Sequence, residues 1–453
     1  MRKTPGRWLV AAMGTALQLC LGTVYAWSFF QSLLVSAHRW SYTQTAWAFS
    51  LQIFALGVSA AWAGVNLPRM GPRKLATIGG ILFSASYVLG GAALWLGSVP
   101  LFYAGFSVVG GIGIGLGYVT PVATVAKWFP DWKGLMTGVV VMGFGVGALM
   151  MSKILAPLLL SVTRGDLVVT FVGIGVFFAV VLLPVTALLD NPPAGYNPGG
   201  PLPAVANVAA AAPVAPVTAT APADEPEAPV RAYVLSGQFL MMWIVFFCNI
   251  AAGISVISFQ SSLLQDIWAL ADPTAEPATL AAYGATLIAV SSLFNGIGRL
   301  FWGLVSDRIG RVESLRLLLA SQMIVFGVLM TERNPWIFCA LVCYVLLCFG
   351  GGFGTMPSFV LDVFGAGRMS VMYGAILTAW AGAGITGPLI VASLKDNYPD
   401  HAIIYSCLMG VLFLGTGFIF SFLVTNERCR PGTPALDDLG IPAAYLARRD
   451  AHS

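Results

Sequence analysis

Residues 279–304 read TLAAYGATLIAVSSLFNGIGRLFWGL, and residues 305–311 continue VSDRIGR. The first segment is apolar for longer than the roughly 20 residues that a helix needs to cross a bilayer core. It carries a single charge, Arg299, and stops at a short loop holding Asp307, Arg308 and Arg311. The same alternation of long apolar run and short charged loop recurs along the chain. Comparable runs occupy 8–30, 43–64, 74–96, 100–126, 134–160, 167–189, 235–260, 315–331, 335–358, 370–393 and 402–424. Twelve such segments predict an all-α membrane protein.

Composition agrees. Only 9% of the 453 residues are charged, against about 25% in a soluble domain, and 58% are hydrophobic. So few charges cannot cover a water-facing surface. The net charge of +4 forms no basic stripe, so nucleic acid is excluded as a partner. The seven cysteines form no CxxC pair; Cys339 and Cys343 share a helix face, where packing explains them better than a metal does. His38, His401 and His452 lie outside the apolar runs, which argues against a metal centre, haem or a histidine proton relay. No cofactor is implied. No nucleophile–base set is visible, and the glycines at 110, 111, 113, 115 and 117 lie inside an apolar run, so they are no phosphate loop. An enzyme is not expected.

The first run follows Arg2, Lys3 and Arg7 but is too long for the core of a signal peptide, so it reads as a retained helix. With the N-terminus inside, the outer loops hold only Arg39, Arg164, Arg333 and Lys395, and every other loop or tail cation falls inside. That bias predicts cytoplasmic termini in a bacterial inner membrane. Residues 191–232 differ: ten prolines lie between Pro192 and Pro229. Such a segment favours extended or disordered chain. It reads as a linker between a first bundle, 1–190, and a second, 233–424, with a tail at 425–453; a docking site for a partner is the other reading.

The halves echo one another. Pro121 and Gly138 in the first recur as Pro357 and Gly374 in the second, at one common offset. Gly64-x-x-x-Pro68-Arg69-x-Gly71 is echoed by Gly303-x-x-x-Asp307-Arg308-x-Gly310-Arg311. Repeated halves mark secondary transporters, with the substrate site between them near the midplane. The second loop resembles the loop signature of the major facilitator superfamily. That resemblance implies two pseudo-symmetric six-helix bundles. It also implies that Gly303, Asp307, Arg308, Gly310 and Arg311, with Arg69 in the first copy, gate one face through a charge network. Pro68 stands where the family has an acid, so the lock is expected at Asp307. Leu17-Gln18 through Trp27-Ser28, Lys127-Trp128-Phe129-Pro130-Asp131 and Asn295-x-x-Gly298-Arg299 further resemble the oxalate:formate antiporter family and bacterial relatives of monocarboxylate transporters.

Arg299 is the sharpest candidate. An arginine in a span costs about 3 kcal/mol on insertion scales and cannot shed its charge. No Asp or Glu lies within the twelve runs to pair with it. A substrate carboxylate would, because guanidinium meets carboxylate in a bidentate fork, and the resemblance implies that role. The alternative is snorkelling towards Asp307 or Asp362. Asn295 is one turn away on the same face. Gln18 and Tyr25, Tyr118, Asn249 and Tyr344 lie on polar faces of other runs and are further candidates for lining the cavity, or else for interhelical bonding. Lys153 is a candidate second cation, or a snorkelling one. Trp380 falls where the oxalate branch has a lysine; a single central cation balances a monoanion better than a dianion, unless Trp380 is plain packing. These residues predict a secondary transporter of small monocarboxylates working by alternating access. Proton symport and oxalate/formate-type exchange both stay open, as does a non-transporting sensor on the same fold. The expected partners are the substrate, protons and lipid, with the protein a monomer.

Overall fold

Each apolar run forms a helix, and most helices outlast their runs because capping residues and loop glycines, not the end of hydrophobicity, stop them. The computed structural model describes residues 6–193, 196 and 230–429. Its spans are α1 Arg7–His38, α2 Tyr42–Met70, α3 Pro72–Trp95, α4 Val99–Trp128, α5 Leu135–Val162 and α6 Leu167–Ala187. The second set is α7 Gly237–Ala271, α8 Pro277–Ile309, α9 Arg311–Leu329, α10 Pro335–Phe364, α11 Met369–Asn397 and α12 Pro399–Leu423. Ser41 and Gln44 form a capping box at the start of α2, and Asp166 and Asn334 cap α6 and α10. Gly71 and Gly310 end α2 and α8 at φ of 77° and 99°, a backbone region that glycine enters without strain. Pro72 stands at the first turn of α3, where no amide proton is needed.

Two six-helix bundles result. In the first, α3 packs on α6 and α2 on α4; in the second, α8 packs on α10 and α7 on α12. The bundles meet along two seams, α2 against α11 and α5 against α8. α12 is only 22% buried over its apolar window and so faces lipid. The loops at Arg39, Arg164 and Arg333 lie at one face, called here the far face. The loops at Asp131 and Gly310 lie at the other, together with both ends of the described chain, and that is the terminal face. Most of the expected linker, residues 194–195 and 197–229, and the tail from 430 onward lie outside the described residues.

Candidate functional site

α8 is held between α10 and α5 by glycines. A side chain at Gly354 would strike the backbone of Arg299, one at Gly350 the backbone of Asn295, and one at Gly145 the backbone of Gly296. Small residues let the backbones close in, and this fixes Arg299 on the bundle interface. Its side chain is 0% exposed, so it does not snorkel.

The guanidinium reaches across to the first bundle. Its Nη1 donates to the Val141 carbonyl at 3.1 Å and to the Tyr118 hydroxyl at 3.3 Å, and its Nε donates to Asn295 Oδ1 at 3.4 Å. The rings of Phe353 and Phe144 lie 4.9 and 5.5 Å from its central carbon, within cation–π range. No carboxylate pairs with Arg299 among the described residues.

One nitrogen of the cation has no hydrogen-bond partner within 3.5 Å among the described residues. Arg299 Nη2, the Tyr25 and Tyr373 hydroxyls and Trp380 Nε1 are all buried and have no partner within 3.5 Å among the described residues, although Tyr25 lies beside Arg299 and Tyr373 beside Tyr118. Buried donors without acceptors are rare, and each costs about 1–3 kcal/mol. These four share one neighbourhood. Trp380 packs on Tyr25, Tyr118, Phe144 and Phe353, and the Tyr25 and Tyr373 phenols lie within the electrostatic reach of Arg299. Irregular backbone places three of them. Tyr25 sits on a 3-10 turn, Gly22–Ala26, where α1 crosses α5 so closely that a side chain at Gly22 would strike Phe144. α11 breaks at Leu377, with Tyr373 before the break and Trp380 after it. Gln18 supports the cluster from behind, donating to the Tyr118 carbonyl at 3.0 Å.

Other expected residues lie elsewhere. Asn249 accepts from Gln322 Nε2 of α9 at 2.9 Å, inside the second bundle. Tyr344 is half-buried beside Ser321 of α9. Lys153 is exposed at the α5–α8 seam, on a π-helical turn, Met151–Leu155, and donates to Thr286 at 2.7 Å. None of the three joins the central cluster. Tyr373, Phe144, Phe353 and the Val141 carbonyl were not anticipated: they are apolar or backbone groups, or a tyrosine buried in an apolar run.

The two faces differ. Arg311 binds Asp307, Ser306 and Asp362, a network confined to the second bundle, while Arg308 and Arg69 are exposed. Among the described residues, the expected lock around Asp307 therefore joins α8, α9 and α10 to one another and does not join the halves. A cleft of about 500 Å³ opens between the bundles at this terminal face, lined by Pro68, Lys127, Thr137, Ser358, Leu361 and Met369 among others. The far face is bridged. Asp396 of α11 accepts from the Thr43 amide and hydroxyl at the start of α2. Its neighbour Lys395 binds Asp266 at 2.7 Å and lies 4.7 Å from the Tyr42 ring centroid. On the other seam, Ser292 of α8 enters the backbone ladder of α5, donating to the Gly145 carbonyl at 2.7 Å and accepting from the Leu149 amide at 3.2 Å.

This architecture has close company. The chain is 25% identical over 397 residues to the oxalate:formate antiporter of Oxalobacter formigenes, covering 86% of each. It is 26% identical over 439 residues to apicoplast pyruvate carrier 1 of Toxoplasma gondii, covering 80% of this chain and 79% of that one. Among solved structures, a bacterial homologue of the human lysosomal transporter Spinster, in an inward-facing and unoccupied conformation, superposes with a TM-score of 0.63 at 16% identity, over 95% of this chain and all of that one. The sequence profile of the Major Facilitator Superfamily matches residues 11–388, and the chain belongs to that family of membrane transporters.

Proposed function

We propose that this transporter carries small monocarboxylates, of the size of formate, pyruvate or lactate, by alternating access of its two bundles. The observation that carries the reading is the donor set around Arg299: one guanidinium nitrogen, two phenols and an indole N–H, all buried and all without an acceptor within 3.5 Å among the described residues. A carboxylate has two oxygens with about four lone-pair directions and no donors, so it complements that set. The enclosing rings of Phe144, Phe353 and Trp380 favour a short acid over a long one. Arg299 is the single cation in the cluster, which favours a monoanion over oxalate. The relatives named for oxalate, formate and pyruvate support the substrate class. On the positive-inside orientation, the open cleft faces the cytoplasm and the bridged face lies outside, with Lys395, Asp396 and Thr43 as the outer gate.

The test is thermal stabilisation of purified protein by formate, pyruvate, lactate, oxalate and longer acids, followed by uptake into proteoliposomes. Pyruvate-sized monoanions are expected to raise the melting temperature most. Arg299→Ala is expected to abolish both that shift and uptake; unchanged affinity in Arg299→Ala would defeat the reading.

A further inference from the structure

Arg299 poses a problem for any transporter that must return to its starting face after releasing an anion. Its charge is permanent. Between the two open states it is sealed from both sides, and a sealed charge without compensation is costly. If substrate alone supplied that compensation, the bundles would close only when loaded, and the protein would be an obligate exchanger.

The geometry shows compensation from within the chain. Three bonds and two aromatic faces hold the guanidinium, and much of this comes from the opposite bundle: the Val141 carbonyl, the Tyr118 hydroxyl and the Phe144 ring. Those groups belong to the first bundle, so they meet Arg299 where the two bundles touch. The arrangement is sealed, with Arg299, Tyr118 and Trp380 each 0% exposed and Tyr25 2% exposed. A crevice of about 20 Å³ between α5, α8 and α10 reaches Arg299 from the side of Asp307 and Ser358, and Arg299 does not line the larger cleft at the terminal face. Here Arg299 is sealed with a carbonyl, a hydroxyl and two rings of the chain itself as partners.

We propose that the Val141 carbonyl, with Tyr118, Asn295 and the Phe144 and Phe353 rings, acts as a stand-in ligand for Arg299, so that the unloaded protein passes through a closed state and the transporter performs net flux rather than obligate exchange. The proposal rests on the carboxylate reading for the identity of the cargo, but not for the motion itself. Because Nη2 keeps no hydrogen-bond partner among the described residues in this form, compensation is partial, and unloaded return is slower than loaded return but of comparable order.

Two measurements test it. In the first, proteoliposomes are loaded with labelled pyruvate under clamped voltage and pH, and efflux into substrate-free buffer is compared with efflux into excess unlabelled pyruvate. Net efflux within about tenfold of exchange is expected. Brisk exchange with net efflux at the level of protein-free vesicles overturns the proposal and leaves the carboxylate function standing. The second needs no substrate. Ser292 is 4% exposed at the α5–α8 seam, towards the far face. In Ser292→Cys, a membrane-impermeant maleimide applied from the far side in carboxylate-free buffer is expected to label the new thiol over time, because the unloaded bundles part there. Absence of labelling without any carboxylate overturns the proposal whatever the substrate is. Labelling without any pyruvate movement supports the proposal and places the error in the substrate. Phe353→Leu is expected to lower the ratio of net efflux to exchange about fivefold, because an aromatic face helps a bare buried cation more than one already paired with a carboxylate.

Discussion

At the scale of single residues, the distinction is between donors that the protein satisfies and donors that it does not. Tyr118 shares its hydroxyl with Arg299, whereas Tyr373, beside Tyr118, and Tyr25, beside Arg299, have no partner within 3.5 Å among the described residues. A hydrogen bond from such a phenol to a carboxylate is charge-assisted and worth about 1.5–3 kcal/mol. Tyr373→Phe is therefore expected to raise KM for the carboxylate roughly tenfold or more, with kcat changed much less; equal KM in both forms would remove Tyr373 from the site. Arg299→Lys is a harsher change, because an ammonium lacks the planar fork and reaches less far. Uptake is expected to fall by about two orders of magnitude while the protein stays monodisperse in detergent. Arg299 was legible in the sequence because a permanent charge amid apolar residues demands an explanation. Tyr373 was not, since a tyrosine in an apolar run carries no such tension, and only the break at Leu377 brings it to the cation.

At the scale of elements, the site depends on how closely α8 is held. Gly354 touches the Arg299 backbone, whereas Gly327 on α9 has nothing near its missing side chain. Gly354→Ala forces α8 and α10 apart and is expected to destabilise by about 1–3 kcal/mol, as overpacking does. Gly327→Ala is expected to be neutral or slightly stabilising, because alanine favours helix over glycine. Melting curves of the two variants give the comparison, and an equal loss in both would show that the α8–α10 contact is not the reason. The apolar runs fixed these elements well, and the repeat of Gly71 and Gly310 marked matching helix ends. Helix faces were harder to assign. Asn249 and Gln260 lie on one side of α7, but Asn249 pairs with Gln322 of α9 and Gln260 accepts from Ser291 of α8. In a 35-residue helix, one face meets different neighbours along its length, and the sequence of that helix does not say which.

At the scale of the whole molecule, the two faces are held by different means, and that difference makes rocking testable. At the terminal face, the Arg311 network stays within one bundle, so opening there breaks none of its bonds. At the far face, Asp396 caps the first turn of α2 from the opposite bundle, where an acid is favoured by the helix dipole and by free amide protons. The sequence hid this contact because Lys395 and Asp396 read as ordinary loop charges at a helix end. Their role appears only when α2 and α11 are neighbours. Opening the far face must separate Thr43 from Asp396, whereas opening the terminal face leaves them together. A cysteine pair, Thr43→Cys with Asp396→Cys, is therefore expected to cross-link under mild oxidation and hold the far face shut. Transport should stop on oxidation and return with a reducing agent, while either single variant should keep transporting under the same treatment. Full transport by the cross-linked double variant would mean that the bundles do not part at this seam.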